Sequence, residues 1–120
     1  MISLNYRDSR PIYEQIRDEL RKLALSGGLN PGDKLPSVRE LASSLSINPN
    51  TIQRAYRELE AEGYIYSVAG KGSFVAPLSA VGDKRRQELL EKFSEAAEEL
   101  RAIGAGRDEL SARLEEVYKK

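Results

Sequence analysis

A chain of 120 residues, 40% hydrophobic and 32% charged, has room for one domain with a modest core, or one small domain with an appendage. Its 19 basic residues balance 19 acidic ones, so whole-chain charge does not advertise a nucleic-acid partner, and any basic surface has to be local. With no Cys and no His, the composition excludes disulfides, zinc fingers, thiol catalysis, histidine-ligated metals and Ser-His-Asp triads, and no cofactor is expected. No apolar run approaches the ~20 residues that span a bilayer, so no membrane partner is expected. The opening residues lack the layout of a signal peptide, and the cytoplasm is the expected compartment.

The expected fold class is mainly α with a small β-hairpin. A first helix is expected from Pro11 to about Ser26, with Pro11 at its first position and Ile12, Ile16, Leu20 and Leu23 on one face. Gly27-Gly28 stops it, and a turn leads into a short extended piece at Lys34-Leu35. Ser37-Val38-Arg39-Glu40 fits a capping box and opens a short second helix ending near Ser46, with Val38, Leu41, Ala42 and Leu45 as its apolar stripe. Asn48 as cap and Pro49 at the first position open a third helix over about 49–62, which buries Ile52, Ala55, Tyr56 and Leu59 and stops at Gly63. Two β-rich runs follow within 64–76, joined by a turn with Lys71 between Gly70 and Gly72.

Composition changes near residue 78. Residues 1–77 hold all five prolines and five of the six tyrosines, whereas 84–120 are helix formers in amphipathic order. The expected division is a domain over 1–77, a linker over 78–83 and a two-helix tail over 84–120. Leu89, Phe93, Ala96, Leu100 and Ile103 repeat at spacings of 4, 3, 4 and 3, and after Gly104-Ala105-Gly106 the same spacing resumes at Leu110, Leu114 and Val117.

The order helix, short strand, helix, tight turn, helix, hairpin is that of a winged helix-turn-helix. Ile47 is the lone apolar residue of the tight turn and is expected to plug the angle between the two helices. In such modules the second helix of the pair enters the major groove. Asn50 and Gln53 can pair with the two groups adenine presents there, an arginine can do the same with guanine, and Thr51 can offer its hydroxyl to phosphate or its methyl to thymine. Arg54 and Arg57 lie about one turn apart, so one can reach a phosphate while the other reads a base. Arg39 sits where a cation is mildly unfavourable for its own helix, which makes sense if an anion comes to meet it. The wing tip, Gly70-Lys71-Gly72, suits a narrow minor groove.

Each residue also has a plainer reading. Taken singly, Arg39, Arg54, Arg57 and Lys71 fit an ordinary solvated surface. Gly70 and Gly72 fit a hairpin turn needing positive φ. Asn48 reads as a cap before a base reader, and Tyr56 as core. The carboxylate pairs of the tail read as solvated helix faces.

Pro11-Ile12-Tyr13-Glu14-Gln15-Ile16, Pro31-Gly32-Asp33-Lys34-Leu35-Pro36-Ser37-Val38-Arg39-Glu40-Leu41-Ala42, the run from Asn48 to Leu59, and Gly63-Tyr64-Ile65 resemble the winged-helix domain of GntR-type bacterial transcription regulators. The resemblance implies DNA contacts by Arg39, Asn50, Thr51, Gln53 and Gly70; the positions of Arg54 and Lys71 vary in that family. The short tail is similar to that of the YtrA-like group, which implies a homodimer made by the tail and a regulator, expected to be a repressor, of an inverted-repeat operator.

The apolar seam of Leu89, Phe93, Leu100, Ile103, Leu110, Leu114 and Val117 exceeds what one helical hairpin can bury, so it is expected to pack against its copy in a two-fold dimer. Two helices that pack their own core are not expected to enclose a ligand pocket, so an effector, if there is one, is expected between subunits or between tail and domain. An enzyme is not expected. The competing reading is a winged-helix protein–protein interaction module without DNA binding, which the zero net charge motivates.

Overall fold

The computed structural model describes Ile2 and Leu4 to Lys119; Met1 and Lys120, the outer ends of the two expected domains, lie outside the described residues. It divides into two compact units, Met1–Gly82 and Asp83–Lys120. The first holds α1 (Ile12–Ser26), α2 (Val38–Leu45), α3 (Pro49–Glu62), β1 (Ile65–Val68), β2 (Gly72–Val75) and a 3-10 turn, Leu78–Ala80. The second holds α4 (Asp83–Ala102) and α5 (Arg107–Tyr118).

Pro11 caps α1 rather than entering it as its first residue. Its ψ of 149° is extended, while its carbonyl already accepts the Glu14 and Gln15 amides. Gln15 is buried, an unusual fate for an amide side chain, and it is fully used. Its Oε1 accepts the Asn5 amide at 2.9 Å and its Nε2 donates to the Asn5 and Arg10 carbonyls. That ties the segment before α1 to the helix.

The capping box of α2 is complete: Ser37 Oγ accepts the Glu40 amide at 3.1 Å and Glu40 Oε1 accepts the Ser37 amide at 3.2 Å. The Ser37 side chain, and then its backbone amide, hold the Glu40 carboxyl below its ordinary pKa. α2 ends on Ser46 in the left-handed region, φ 55°. The Ile47 amide reaches back to the Ala42 carbonyl and the Ser46 amide to Ser43, so the tight turn is a Schellman closure built on a serine. Asn48 Oδ1 then accepts the Asn50 amide at 2.8 Å, with Pro49 in the first turn. α3 closes the same way on Gly63, φ 93°, with Tyr64 donating to the Leu59 carbonyl at 3.0 Å.

The core of the first unit gathers one stripe from each helix. Ile16 and Leu20 of α1, Leu41 and Ala42 of α2, and Ile52, Ala55, Tyr56 and Leu59 of α3 meet Leu35, Tyr64, Ile65 and Val75. Ile47 packs against this cluster from the turn, half-buried. The hairpin is antiparallel, pairing Ile65 with Val75 and Val68 with Gly72. Lys34 bridges to Phe74 on the free side of β2, so the short extended piece is joined to the two-stranded sheet by a single bridge. Residues after the hairpin fold back on this unit: Val81 packs on the core, and the Gly82 amide donates to the Glu62 carbonyl.

In the second unit the break falls at 103–106, as the glycines predict. α4 and α5 do not make a core of their own, however. They line an open apolar groove of about 910 Å³ with Phe93, Ala96, Ala97, Leu100, Leu110, Leu114 and Val117. Leu89, Phe93, Leu100, Ile103, Leu114 and Val117 are exposed, and Leu110 is half-buried. The seam is longer than one helical hairpin covers, so most of its apolar side chains stay exposed within this unit.

Candidate nucleic-acid interface

α3 has two opposite faces. One is fastened to the core through Ile52, Ala55, Tyr56 and Leu59, all under 5% exposed. The other presents Asn50, Gln53, Arg54 and Arg57 as exposed side chains at helical spacing. Thr51, expected among them, is half-buried at the edge of that row. Asn48 is occupied as the cap, in line with its plainer reading.

Arg39 stands exposed in the first turn of α2, the helix that packs directly on α3. The α2 N-terminus thus brings a full positive charge beside partly unsatisfied backbone N–H groups, a pairing that favours an anion such as phosphate.

The wing tip is exposed from Ser67 to Gly72. Gly70 (φ 76°) and Gly72 (φ 117°) both need the left-handed region. A Cβ on Gly72 would also lie 3.2 Å from Lys34 Cε. Lys34 therefore runs along the wing towards its tip, where its amine lies beside Gly72, next to Lys71 in sequence. Sequence reasoning saw Lys34 only as part of an extended piece, since the pairing that brings it to β2 is long-range. Tyr66 and Phe74 stack across the hairpin with centroids 5.6 Å apart, which stiffens the wing.

Of the row on α3, Arg54 has contacts of its own. Its guanidinium lies 3.7 Å from the Tyr13 ring centroid and its Nε 3.5 Å from Glu58 Oε2. Beneath this row, Arg17 donates to Glu58 at 2.7 Å and Arg21 to Glu62 at 2.7 Å, binding α1 to α3. Burial works against the Arg17 charge, but hydrogen bonds to Glu58 and Asp18 outweigh it and raise its pKa.

Among the described residues no group of His, Cys, Asp and Glu could hold a metal ion, and no helix is long and apolar enough to cross a membrane.

A helix pair joined by the three-residue turn Ser46-Ile47-Asn48, an exposed polar and cationic face on its second helix, and a glycine-tipped hairpin beside it define a winged helix-turn-helix, a DNA-binding module. Residues 12–75 match the family described as bacterial regulatory proteins, gntR family. The chain belongs to this family. It is 51% identical over 76 residues to the HTH-type transcriptional repressor YtrA of Bacillus subtilis (strain 168), a match that takes in 63% of this chain and 58% of that protein. A crystal structure of a transcriptional antiterminator from Listeria monocytogenes EGD-e superposes with a TM-score of 0.80 at 34% identity, covering 100% of this chain and 90% of that one. AraR(DBD), solved in complex with operator ORR3, superposes with a TM-score of 0.54 at 32% identity, covering 62% of this chain and 89% of that one.

Proposed function

We propose that the protein is a homodimeric transcriptional repressor that binds an inverted-repeat operator in the cytoplasm. The observation that carries this reading is the row of Asn50, Gln53, Arg54 and Arg57, presented outward by a helix whose other face is locked into the core. In it, α3 lies in the major groove, where Asn50 and Gln53 meet base edges and Arg54 and Arg57 serve bases or phosphates. Thr51 lies close to the backbone. Arg39 meets a phosphate at the α2 N-terminus, and Gly70, Lys71 and Gly72 enter the minor groove. That AraR(DBD), a structure of similar fold, was solved in complex with an operator supports DNA as the partner.

The second unit supplies the dimer. Leu89, Phe93, Leu100, Ile103, Leu110, Leu114 and Val117 face a second copy, and the partner's helix fills the open groove between α4 and α5. The two-fold axis so made repeats the recognition helix on both halves of the operator. No catalytic step belongs to this reading, and its partners are operator DNA and a second copy of the chain.

The test is a fluorescence-anisotropy titration against duplexes recovered by selection from a random library, run at several salt concentrations. Affinity is expected to fall steeply with salt, by about 0.9 log units per log unit of salt for each phosphate neutralised. Recovered sites are expected to carry an inverted repeat. A salt-independent response, or selection yielding no shared sequence, overturns the reading in favour of a protein-binding module.

A further inference from the structure

Arg54 is the member of the α3 row that the protein holds in place before any partner arrives. Its guanidinium carbon sits 3.7 Å from the centroid of Tyr13, in the first turn of α1. At that distance the cation lies against the ring face, held by the ring quadrupole. Glu58 meets its Nε at 3.5 Å, on the side away from the terminal fork of the guanidinium.

Glu58 does not depend on Arg54. Its other oxygen accepts from Arg17 Nη1 at 2.7 Å, and Arg17 is anchored in turn on Asp18 at 3.0 Å. If Arg54 turns its charge towards a new anion, the carboxylate it leaves keeps its partner on α1. A free arginine surrenders much of its rotamer freedom on binding, whereas this one has surrendered it to the ring already.

We propose that Tyr13 is a positioning residue for DNA: its ring is a platform that sets Arg54 against a backbone phosphate at the α1 edge of the recognition face. Asn50 and Gln53 are then left to read bases. The proposal rests on the DNA-binding reading above and adds α1 to the docking apparatus.

The test compares the wild type with Arg54→Ala, Arg54→Lys, Tyr13→Phe, Tyr13→Leu and the Tyr13→Leu/Arg54→Ala double variant. Each is titrated with the selected duplex and a scrambled one across a salt series, and each has its thermal unfolding measured. Arg54→Ala is expected to weaken binding roughly tenfold on both duplexes, as removal of a charged hydrogen bond does. It should also flatten the salt slope by about 0.9 for each phosphate the side chain no longer neutralises. Tyr13→Leu is expected to reproduce part of that weakening, and the double variant to bind no more weakly than Arg54→Ala alone. Tyr13→Phe keeps the ring and is expected to bind as the wild type. Arg54→Lys keeps the charge but not the planar fork, so it should bind more weakly with little change of slope.

An unchanged slope in Arg54→Ala overturns the proposal, and so does wild-type affinity in a folded Tyr13→Leu. Effects that multiply in the double variant also overturn it, since they indicate that Tyr13 acts only through the packing of α1. If thermal unfolding shows that Tyr13→Leu does not fold, the two Arg54 variants decide, because that side chain is 59% exposed and its removal spares the core. A wild type that binds no duplex brings down the DNA reading and this proposal together; a wild type that binds while Tyr13→Leu binds equally well removes only the platform.

Discussion

The Tyr56 hydroxyl donates a 2.7 Å hydrogen bond to the Pro36 carbonyl, 20 residues earlier. This one bond joins the middle of the recognition helix to the residue that precedes the Ser37 cap of α2. Tyr56 thus fixes the angle at which α2 and α3 are presented.

Replacing it with phenylalanine keeps the ring and strands the Pro36 carbonyl. Tyr56→Phe is expected to cost about 0.5–1.5 kcal/mol at neutral pH, read as a lower urea midpoint. Burial, then the negative charge of Glu40, pushes the Tyr56 pKa up to about 12 from an ordinary 10.0. Because the folded value is the higher one, the unfolded chain loses its proton first. The contribution is whole below about pH 10 and is lost as the pH rises towards 12. Urea midpoints measured across pH 9–12 should fall for the wild type, and that part of the fall should be absent in Tyr56→Phe.

A second prediction concerns Gly63, where α3 ends. Its φ is 93°, and a Cβ there would run into the Ala80 carbonyl oxygen and come within 3.0 Å of Val81 Cα. Gly63→Ala is therefore expected to cost at least about 2 kcal/mol, from left-handed strain plus a clash with backbone. Gly70→Ala has similar strain at φ 76° but nothing within 4 Å among the described residues, so it is expected to cost about 1 kcal/mol. Thermal unfolding of the two variants side by side checks the ordering.

On DNA, Gln53→Ala and Arg39→Ala are expected to fail differently. A base reader should lose about 1–3 kcal/mol on the selected duplex and little on a scrambled one. A phosphate-binding side chain should lose affinity for both and lower the salt slope. Titrating each variant against both duplexes separates the two roles.

The tail makes its own prediction. Light scattering of the wild type is expected to report twice the chain mass. Phe93→Glu combined with Leu114→Glu puts two charges into the open apolar groove and should give the mass of one chain. Operator affinity should fall with it, because the second half-site no longer binds at the effective concentration the first one sets.

Much of the first unit was legible because its signals are local. Ser37 with Glu40, Asn48 with Pro49, and Gly63 each announce a helix end within four residues, and the tight turn between α2 and α3 follows from them. The identity of the α3 row was legible through periodicity, since burying Ile52, Ala55, Tyr56 and Leu59 leaves the other side chains outward. What escaped was long-range or chemically unmarked. A serine at 46 gives no sign that it will take φ 55°. Nothing in Tyr13 points to a guanidinium 41 positions away, and nothing in Lys34 points to Phe74. The tail's heptad-like spacing signalled burial without saying against what, so the unfilled space between α4 and α5 came from the structure alone.

The way Lys34 is stitched to Phe74 gives the wing a mechanical character. Gly32 donates to the Val75 carbonyl, Val75 to Asp33 and Leu35 to Ser73, so the connection between α1 and α2 is zipped along β2. The hairpin is therefore no loose flap but a lever geared to the helices behind it. Adding a residue inside the paired run, between Asp33 and Leu35, would slip that gear and swing the tip relative to α3, while the outward row of Asn50, Gln53, Arg54 and Arg57 stays the same.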